Sequence, residues 1–390
     1  MTVTLLASRD PKGIRDALVR RGMDESHASS AALGLRPLTL VVDSRAQETR
    51  DALAAAAQRL GVECITHDGW TLLAGSVGRL AGLTRSGITT IPQPVVDQLS
   101  RLLRGMLQPR VSWITARGSI DLGRPVVAGI LNITADSFSD GGSYLDPAAA
   151  IRHAEQMIAA GAGMLDLGAQ SSRPGRPEQV SPEEEWRRLA PVLSELARNH
   201  PKTPISVDTV RADTAARALE GGAWAVNDVS GLRLDPAIAD VCASQGAGLI
   251  LMHSRGSFAE MATYDHAQYN DVVAETVREL VGSVERAESR GVERDRIVID
   301  PGLGFSKLPE QNYRVVAGLP VLASLGLPVM LGPSRKRFLG KGTGQPADER
   351  DHATAALCVA ARSLGASLFR VHAVRLVKEA LDIAVEIESA

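Results

Sequence analysis

The stretch VVAGILNITADSFSDGG, residues 126–142, joins an apolar run to a densely polar segment. Its first part, VVAGIL (126–131), has no polar position, which is typical of a short parallel strand that is covered on both faces. The part that follows crowds Asn, Thr, Asp and Ser around a lone Phe138 and ends in two glycines. A solvated turn needs only a few polar residues and a Gly or Pro. The segment is therefore either an ordinary surface loop or a functional loop placed directly after a buried strand.

Seven further apolar runs rich in Val, Ile and Leu follow, and Ala-rich segments of helical period separate them. These runs are MLDLG (164–168), ISVD (205–208), AWAVND (223–228), GLILM (248–252), RIVID (296–300), PVMLG (328–332) and SLFRVH (367–372). Eight such units in roughly 265 residues fit a (β/α)₈ TIM barrel, whose typical size is about 250 residues. A doubly wound open sheet is the alternative, and it is disfavoured because no Gly-x-Gly-x-x-Gly follows the first strand.

The chain before this region has a different pattern, without a motif that indicates chemistry. Candidate strands and helices there are LTLVVD (38–43), GVECITHD (61–68) and the segments around 11–33, 46–60 and 93–107. We therefore predict two domains, both of the α/β fold class. A small N-terminal α/β domain of unknown role covers residues 1–121, and a (β/α)₈ barrel covers residues 122–390.

Composition excludes several classes of partner. The net charge is −2 and aromatic residues make up 3%, without a basic block, which argues against binding of nucleic acid. No apolar run approaches the roughly 20 residues of a membrane span, and the N-terminus lacks the basic start of a signal peptide. The three widely spaced cysteines are typical of reduced core residues, and the histidines lack the spacing of a metal site. We expect a cytoplasmic protein with no nucleic-acid or membrane partner.

Polar side chains stand at the carboxyl end of nearly every predicted strand. They are Asn132, Asp166, Asp208, Asn227, His253, Asp300, the Ser334–Lys336 segment, Arg370 and His372. Capping of the next helix would explain any one Asp or Ser after a strand. Active sites of (β/α)₈ barrels lie at this end of the strands, where the loops converge. The whole set therefore favours a ligand site.

Two kinds of ligand group suit these residues. Arg370 and His372 lie two apart on the last strand and project to one side; with Asn132 they suit a phosphate-like anion. An arginine paired with a surface carboxylate is the alternative. The carboxylates Asp208 and Asp300 accept paired N–H donors such as a ring amide beside an exocyclic amine. Together with Asn227, and with Lys336 as a donor, they fit a flat heterocycle better than a sugar.

Eight segments of the sequence resemble, in order, those of the dihydropteroate synthase family. They are GILNITADSFSDGG (129–142), DLGAQSSRPG (166–175), SVDT (206–209), NDVSG (227–231), LMHSRG (251–256), IDPGLGFSK (299–307), GPSRKRFLG (332–340) and FRVHAV (369–374). The resemblance covers about residues 124–386. It implies a (β/α)₈ barrel, usually dimeric, that joins 6-hydroxymethyl-7,8-dihydropterin pyrophosphate to 4-aminobenzoate and releases pyrophosphate in folate biosynthesis. It also implies sensitivity to sulfonamides.

The resemblance assigns roles to individual residues. Asp208, Asn227, Met252, Asp300 and Lys336 would hold the pterin. Asn132, Arg370 and His372 would bind the pyrophosphate, with Asn132 beside a Mg²⁺ ion. Five of these, which are Asp208, Asp300, Lys336, Arg370 and His372, are the predicted catalytic residues. The aminobenzoate pocket and its two lid loops would be formed by Asp136, Phe138, Asp140, Ser172, Arg173, Pro174 and Ser334. In this family the polar loop after the first strand is a mobile lid that excludes water.

The sequence departs from the family pattern at four positions. Ala135 replaces a proline, Gln170 a glutamate, Pro333 a small residue or Val, and Ala373 an aspartate. These changes leave open a specialised or non-catalytic pterin-binding paralogue. A second alternative is a pterin-dependent methyltransfer barrel, which is disfavoured because it needs neither the Ser-Arg-Lys nor the Arg-Val-His segment.

Overall fold

A computed structural model describes most of the chain in two compact units. The described residues are 2–5, 38–75, 77–85, 90–107, 110–134, 146–170 and 180–390. The first unit comprises Met1–Pro109 with Ala317–Gly326, and the second comprises Arg110–Val316 with Leu327–Ala390. The predicted limits, 1–121 and 122–390, differ from these in two segments: residues 110–121 belong to the second unit, and Ala317–Gly326 belongs to the first.

The first unit contains a four-stranded antiparallel sheet with helices. Its elements before residue 109 are β1 (Thr2–Leu5), β2 (Leu38–Asp43), α1 (Gln47–Leu60), β3 (Glu63–His67), β4 (Trp70–Gly75), α2 (Val77–Gly82) and α3 (Gln93–Leu107). The strand order is β1-β2-β4-β3. The predicted strands β2 and β3 and helices α1 and α3 are confirmed, whereas the helix predicted around 11–33 lies outside the described residues.

The second unit begins with a hairpin and continues as alternating strands and helices. The hairpin strands are β5 (Ser112–Thr115) and β6 (Gly118–Asp121). The following elements are β7 (Val126–Asn132), α4 (Pro147–Ala159), β8 (Met164–Gly168), α5 (Pro182–Asn199), β9 (Ile205–Asp208), α6 (Ala212–Glu220), β10 (Ala225–Asp228), α7 (Ala237–Gln245), β11 (Gly248–Met252), α8 (Val272–Ser289), β12 (Ile297–Asp300), α9 (Pro309–Ala317), α10 (Leu319–Ala323, in the first unit), β13 (Met330–Leu331), α11 (Arg337–Thr343), α12 (Asp351–Arg362), β14 (Leu368–Val371) and α13 (Val374–Ser389).

The eight strands from β7 to β14 form one parallel sheet that closes on itself. Their order is β12-β11-β10-β9-β8-β7-β14-β13, and a parallel bridge between Ile299 and Val329 joins its two ends. Seven of the eight predicted apolar runs contain one of these strands, and the eighth, VVAGIL (126–131), covers β7 except for Asn132. The predicted (β/α)₈ barrel is confirmed. Helices connect consecutive parallel strands and cover the outer face of the sheet. The strands are therefore buried on both faces, which explains the nearly continuous apolar sequence of each one.

Trp113 of the hairpin fills the amino end of the barrel. Its side chain is fully buried against the first residues of several strands, among them Ala225 of β10. The indole Nε1 donates a hydrogen bond of 2.8 Å to the carbonyl of Arg296. A Cβ on Gly248 would lie 2.6 Å from the Trp113 ring, so a side chain there would collide with it. The hairpin therefore closes the end of the barrel that lies opposite the predicted site.

The cysteines are free thiols, and Cys242 and Cys358 are buried. Burial raises the pKa of the Cys64 thiol to about 11 and the pKa of the other two further still, so all three are protonated at neutral pH. Among the described helices, none combines the length and the apolar character that crossing a bilayer requires.

Candidate active site

Strand register gathers three of the predicted site residues at the carboxyl end of the barrel. Asn132 of β7 lies opposite Gly168 of β8, and Gly168 lies opposite Asp208 of β9. Asp208 in turn pairs with Asn227 of β10. A Cβ on Gly168 would lie 3.5 Å from the Asp208 Cβ and 3.8 Å from the Asn132 Oδ1. The glycine thus leaves open the small volume that the side chains of Asn132 and Asp208 share.

Asp166 connects the two groups of residues that were predicted to bind different parts of a ligand. Its buried carboxylate accepts hydrogen bonds from Ser206 Oγ, from Asn227 Nδ2 at 3.2 Å and from Arg370 Nε. Arg370 Nη2 also donates to Asp208 Oδ2 at 3.1 Å. Asp208 and Asn227, expected at a heterocycle, and Arg370, expected at an anion, therefore belong to one network.

The charges of this network influence one another strongly. Burial raises the pKa of Asp208 to about 7; Arg370 opposes the rise and Asp166 adds to it. Burial also disfavours the charge on Arg370, but Asp166 and Asp208 offset that effect and raise its pKa overall. Arg370 therefore remains a cation, while Asp208 changes its charge near neutral pH.

Asp300 and Lys336 face the same mouth from the other side of the barrel. Burial raises the pKa of Asp300 to about 6, against the effects of the Gly302 N–H, Lys336 and Arg370. Desolvation lowers the pKa of Lys336 to about 7, with Asp300 acting in the opposite direction. Lys336 Nζ donates to the carbonyl of Leu303 and lies 3.9 Å from the centre of the Phe305 ring. Asp300, Lys336 and Arg370 thus influence one another electrostatically at the carboxyl end of the barrel.

The loop after β12 has an unusual backbone that its glycines permit. Gly302 and Gly304 have φ angles of +68° and +78°, and Ser306 has a φ of +46°. A Cβ on Gly302 would lie 1.9 Å from the carbonyl oxygen of His253, and one on Gly304 would lie 2.5 Å from Lys336 Cδ. The loop thus packs directly beneath Lys336, and only glycine fits at these two positions.

His372 lies beside Ser334, apart from the Asp166 network. The Ser334 Oγ accepts the His372 backbone N–H at 3.1 Å and lies 2.9 Å from Nδ1 of the same residue. Burial lowers the pKa of His372 to about 3, and Arg335 and Arg370 reinforce the effect. The imidazole is therefore neutral. Because the Ser334 hydroxyl is free to donate to Nδ1, the arrangement favours the proton on Nε2, where it can serve a ligand.

Arg335, between Ser334 and Lys336, has a left-handed backbone that is rare outside glycine. Its φ is +57°. The guanidinium forms a two-pronged ion pair with Asp351 at 2.8 and 2.7 Å, and its N–H donates to Thr354 Oγ1 at 3.3 Å. These contacts with α12 hold the conformation that directs its two neighbours toward the mouth.

The other predicted site residues, and three of the four departures from the family pattern, are not part of the polar networks described above. Met252 is buried in an apolar cluster with Phe258, Met261 and Phe305 beside the mouth. The lid residues Asp136, Phe138, Asp140, Ser172, Arg173 and Pro174, with Ala135, lie outside the described residues. Gln170 lies two residues after β8, and its Oε1 has no hydrogen-bond partner among the described residues. Ala373 precedes α13 without a side-chain cap, which an aspartate would supply.

Two further residues had no assigned role in the predicted site, although Asp166 was among the polar residues at the strand ends. Asp166 is an acidic residue within a strand that is buried at every position, and this is a signal that the sequence contains. Lys307, in the segment IDPGLGFSK, is fully buried and lies 2.8 Å from His253 Nδ1. The side-chain partners of these two residues, Arg370 for Asp166 and His253 for Lys307, are distant from them in sequence.

The part of the chain that matches known proteins is the barrel. Residues 128–372 match the family described as pterin binding enzyme. The dihydropteroate synthase of Mycobacterium leprae (strain TN) is 45% identical over 263 residues, which are 66% of this chain and 91% of that protein.

Solved structures with the same barrel give a consistent result. Xanthomonas albilineans dihydropteroate synthase in complex with 7,8-dihydropteroate superposes with a TM-score of 0.64 and 37% identity, covering 72% of this chain and 99% of that one. The Yersinia pestis dihydropteroate synthase with a sulfonamide drug complex has a TM-score of 0.67 and 34% identity, covering 72% and 100%. The matched region holds every described residue of the predicted site, and the chain belongs to the dihydropteroate synthase family of pterin-binding enzymes.

Proposed function

We propose that this chain condenses 6-hydroxymethyl-7,8-dihydropterin pyrophosphate with 4-aminobenzoate, giving 7,8-dihydropteroate and pyrophosphate in folate biosynthesis. It is a transferase that forms a carbon–nitrogen bond. The observation that carries this function is the single mouth in which Asp208, Asp300 and Lys336 lie near Arg370. Relatives that are covered almost completely by this barrel have the same activity in their names.

The pterin would bind at the buried floor of the mouth. Asp208 and Asp300, when ionised, accept the parallel N–H donors of its amide and exocyclic amine. Asn227 and Lys336 complete the polar contacts, and Met252 lies on the apolar side. Asn227 and Asp300 are 2% and 3% exposed, so a ligand that lacks matching groups would leave them unpaired at a cost of about 1–3 kcal/mol each.

The pyrophosphate would leave toward Arg370, His372 and Asn132. The C–O bond to the pterin methylene breaks, and pyrophosphate departs with the electron pair. Arg370 is a permanent cation and neutral His372 a hydrogen-bond donor, so both stabilise the negative charge that develops.

Mg²⁺ fits this arrangement as a companion of the pyrophosphate. Among the described residues, no cluster of three or more His, Cys, Asp or Glu side chains could hold a metal by itself. Mg²⁺ is commonly bound by one or two protein oxygens together with substrate phosphates, and Asn132 Oδ1 would supply such an oxygen. When bound, the ion would neutralise charge on the leaving group.

The amine of 4-aminobenzoate would attack the methylene carbon from the rim. An arylamine is neutral near pH 7, so it needs no strong general base, and its proton passes to solvent after the new bond forms. Ser334 at the rim, with the two predicted lid loops, would form its pocket. Sulfonamides, which a relative binds, would compete there.

One assay distinguishes this function from its alternatives. Purified protein is incubated with the pterin pyrophosphate, Mg²⁺ and 4-aminobenzoate, and both pyrophosphate and dihydropteroate are measured. Equal amounts of the two products support the synthase. Tight binding of the pterin without product would identify a non-catalytic paralogue. Activity that is independent of Mg²⁺ would contradict the metal assignment alone.

Pterin binding should weaken as the pH falls through about 7 and 6. The pKa values of Asp208 and Asp300 are raised to about 7 and 6, so both carboxylates become neutral well above pH 4. A neutral carboxyl group accepts N–H donors less well. We expect affinity for the uncharged head group 6-hydroxymethylpterin to fall about tenfold or more between pH 8 and 5.5. Calorimetric titration measures it, and the head group is chosen because it has no phosphate to titrate. If the affinity instead fell only near pH 4, these carboxylates would not be the acceptors. We call the fall in affinity toward low pH the acid limb of binding.

The variant Asp166→Asn should damage binding of both ligand groups at once. An asparagine can keep an oxygen for Asn227 and Arg370 and donate to the Ser206 hydroxyl, but it lacks the negative charge that stabilises the Arg370 cation. We expect kcat/KM for the pterin pyrophosphate to fall about 10- to 100-fold, from one or two lost charge-assisted contacts. The matched control is Asp213→Asn on the exposed face of α6, which should retain full activity. An Asp166→Asn enzyme with unchanged kcat/KM would exclude this role.

The family resemblance also supports a homodimer, and α13 offers an apolar surface for one. Ile383 and Ile387, one turn apart, are 63% and 73% exposed. Sedimentation at micromolar concentration would reveal the predicted dimer. A cytoplasmic location remains a prediction from the sequence.

A further inference from the structure

Lys307 is a fully buried lysine whose nearest partners are all uncharged. Its Nζ lies 2.8 Å from His253 Nδ1 and 3.3 Å from each of the carbonyl oxygens of Gly302 and Phe305. An ammonium group has three N–H donors, and these are three acceptors. Burial of a charge without a direct counter-ion is costly, so such a residue is retained only where its charge or its contacts are needed.

The contacts of Lys307 clamp the loop that forms the floor beneath Lys336. Gly302 and Phe305 lie in the tight segment whose positive φ angles are at Gly302, Gly304 and Ser306, and Lys307 Nζ contacts the carbonyl oxygens of both. Within this segment, the Leu303 carbonyl accepts from Lys336 Nζ and the Phe305 ring lies below it. The position of Lys336 therefore depends on a loop whose shape Lys307 fixes.

The same loop begins at Asp300, and Lys307 acts on that carboxylate electrostatically. The Gly302 N–H donates to Asp300 Oδ1 at 2.7 Å. The positive groups that face Asp300 are Lys336, Arg370 and Lys307, and each of them favours its ionised form. Burial lowers the pKa of Lys307 itself to about 7, with Asp300 acting in the opposite direction, so the lysine is mostly an ammonium at the lower pH at which Asp300 titrates. Its side chain is fully buried, so a ligand does not touch it.

His253 completes the arrangement on the side away from the mouth. Burial and the nearby Lys307 lower the pKa of His253 to about 4, so the ring is neutral. Its Nε2 lies 3.0 Å from Glu279 Oε2, which suits a proton on Nε2 and leaves Nδ1 as the acceptor for Lys307. Glu279 is bound in turn by Arg255 Nε at 3.2 Å. The lysine is thus held by a chain of contacts that reaches the protein surface.

We propose that Lys307 is a positioning residue of the synthase reaction: it clamps the Gly302–Phe305 loop beneath Lys336 and supplies a buried positive charge on the Asp300 side of the pterin site. This inference rests on the proposed function and adds a residue that does not touch the substrate. It makes two separable claims, one about the loop and one about the charge.

Two variants separate these claims. Lys307→Gln removes the charge but keeps N–H donors for the two carbonyls, whereas Lys307→Met removes both. Lys202→Met, on an exposed turn before β9, is the matched control for loss of a lysine. Binding of 6-hydroxymethylpterin is measured by calorimetry from pH 5 to 8.5, together with thermal unfolding and wild-type turnover.

We expect the acid limb of binding to move up by about one pH unit in Lys307→Gln, since a positive charge near Asp300 is lost. Above that limb, affinity should stay within about threefold of wild type. Lys307→Met should show the same shift and also bind about tenfold more weakly at pH 8.5, because the loop carbonyls lose their donor.

The results decide between outcomes without ambiguity. A Lys307→Gln protein that folds and keeps the wild-type limb would overturn the charge claim. Equal affinity of the Met and Gln variants at pH 8.5 would overturn the clamp, and if Lys307→Met does not fold, a Gln variant with weakened binding at pH 8.5 overturns it instead. Failure of the wild-type protein to bind the pterin or form product would refute the proposed function itself.

Discussion

Replacing Asp300 by alanine should lower kcat/KM for the pterin pyrophosphate by about 100- to 1,000-fold. The carboxylate is 3% exposed, accepts the Gly302 N–H at 2.7 Å and lies close to the cation of Lys336. Its removal leaves the Gly302 N–H and the ligand's own donors without an acceptor, at about 1–3 kcal/mol each. A total of about 3–4 kcal/mol corresponds to the stated loss of rate. Initial rates over a range of pterin concentrations measure the effect.

Asp300→Asn separates charge from contact in this prediction. Asparagine keeps an oxygen for the Gly302 N–H but lacks the negative charge, so we expect an intermediate loss of about tenfold. Asp213→Ala, an exposed acidic residue on α6, is the control for general effects. Normal kcat/KM in both Asp300 variants would remove this residue from the pterin site and leave Asp208 as the principal acceptor.

Trp113→Ala should destabilise the barrel by about 3–5 kcal/mol, the usual cost of removing a large aromatic side chain from a core. The indole is fully buried at the amino end of the strands and hydrogen-bonds the Arg296 carbonyl. Because the cavity would be at the end far from the mouth, the activity of the folded fraction should change little. Urea unfolding followed by circular dichroism measures the stability.

Trp113→Phe is the matched variant for this second prediction. It keeps an aromatic ring but loses the Nε1 donor, so a cost of about 1–3 kcal/mol is expected from the unpaired carbonyl and the smaller ring. If the alanine variant were as stable as wild type, the hairpin would not contribute to the barrel core. Loss of activity without loss of stability would show that Trp113 affects the site at the mouth in addition to the core.

The barrel was largely predictable because its strands are buried on both faces. Each of the eight apolar runs overlaps a strand, and the limits agree closely for MLDLG, ISVD and GLILM. The run PVMLG yields only Met330–Leu331, since Pro328 has no N–H to contribute to a ladder. The Trp113 hairpin was not predicted. Its two strands are only four residues long, and the burial of Trp113 depends on contacts with the barrel strands.

In the first unit, β4 was missed although the sequence contains its signal. Asp68 and Gly69 separate two strands by two residues, and Gly69 has a φ of +86°. Asp-Gly is a favoured pair for such a hairpin turn. The run WTLLAG reads as a buried segment in either a helix or a strand, and pairing with β2 and β3 on both sides resolves it.

The candidate site was predictable in its residues but not in its connections. Strand ends identified Asp208, Asn227, Asp300 and Arg370, since the carboxyl ends of a barrel converge. Asp166 could not be linked to Arg370 from sequence, because the two are joined by a contact across 204 positions. The burial of Lys307 likewise depends on packing of a loop against His253 and was not visible in the motif.

The hairpin at the amino end has a kinetic consequence. Side chains pack the interior of the barrel and the hairpin covers its amino end, so substrates can enter and leave only at the carboxyl end. The substrate that binds deepest therefore has to enter first. The acceptors for the bicyclic head lie at the bottom, and Ser334 lies nearer the opening. We expect strictly sequential kinetics in which an early-arriving arylamine obstructs its own co-substrate at high concentration.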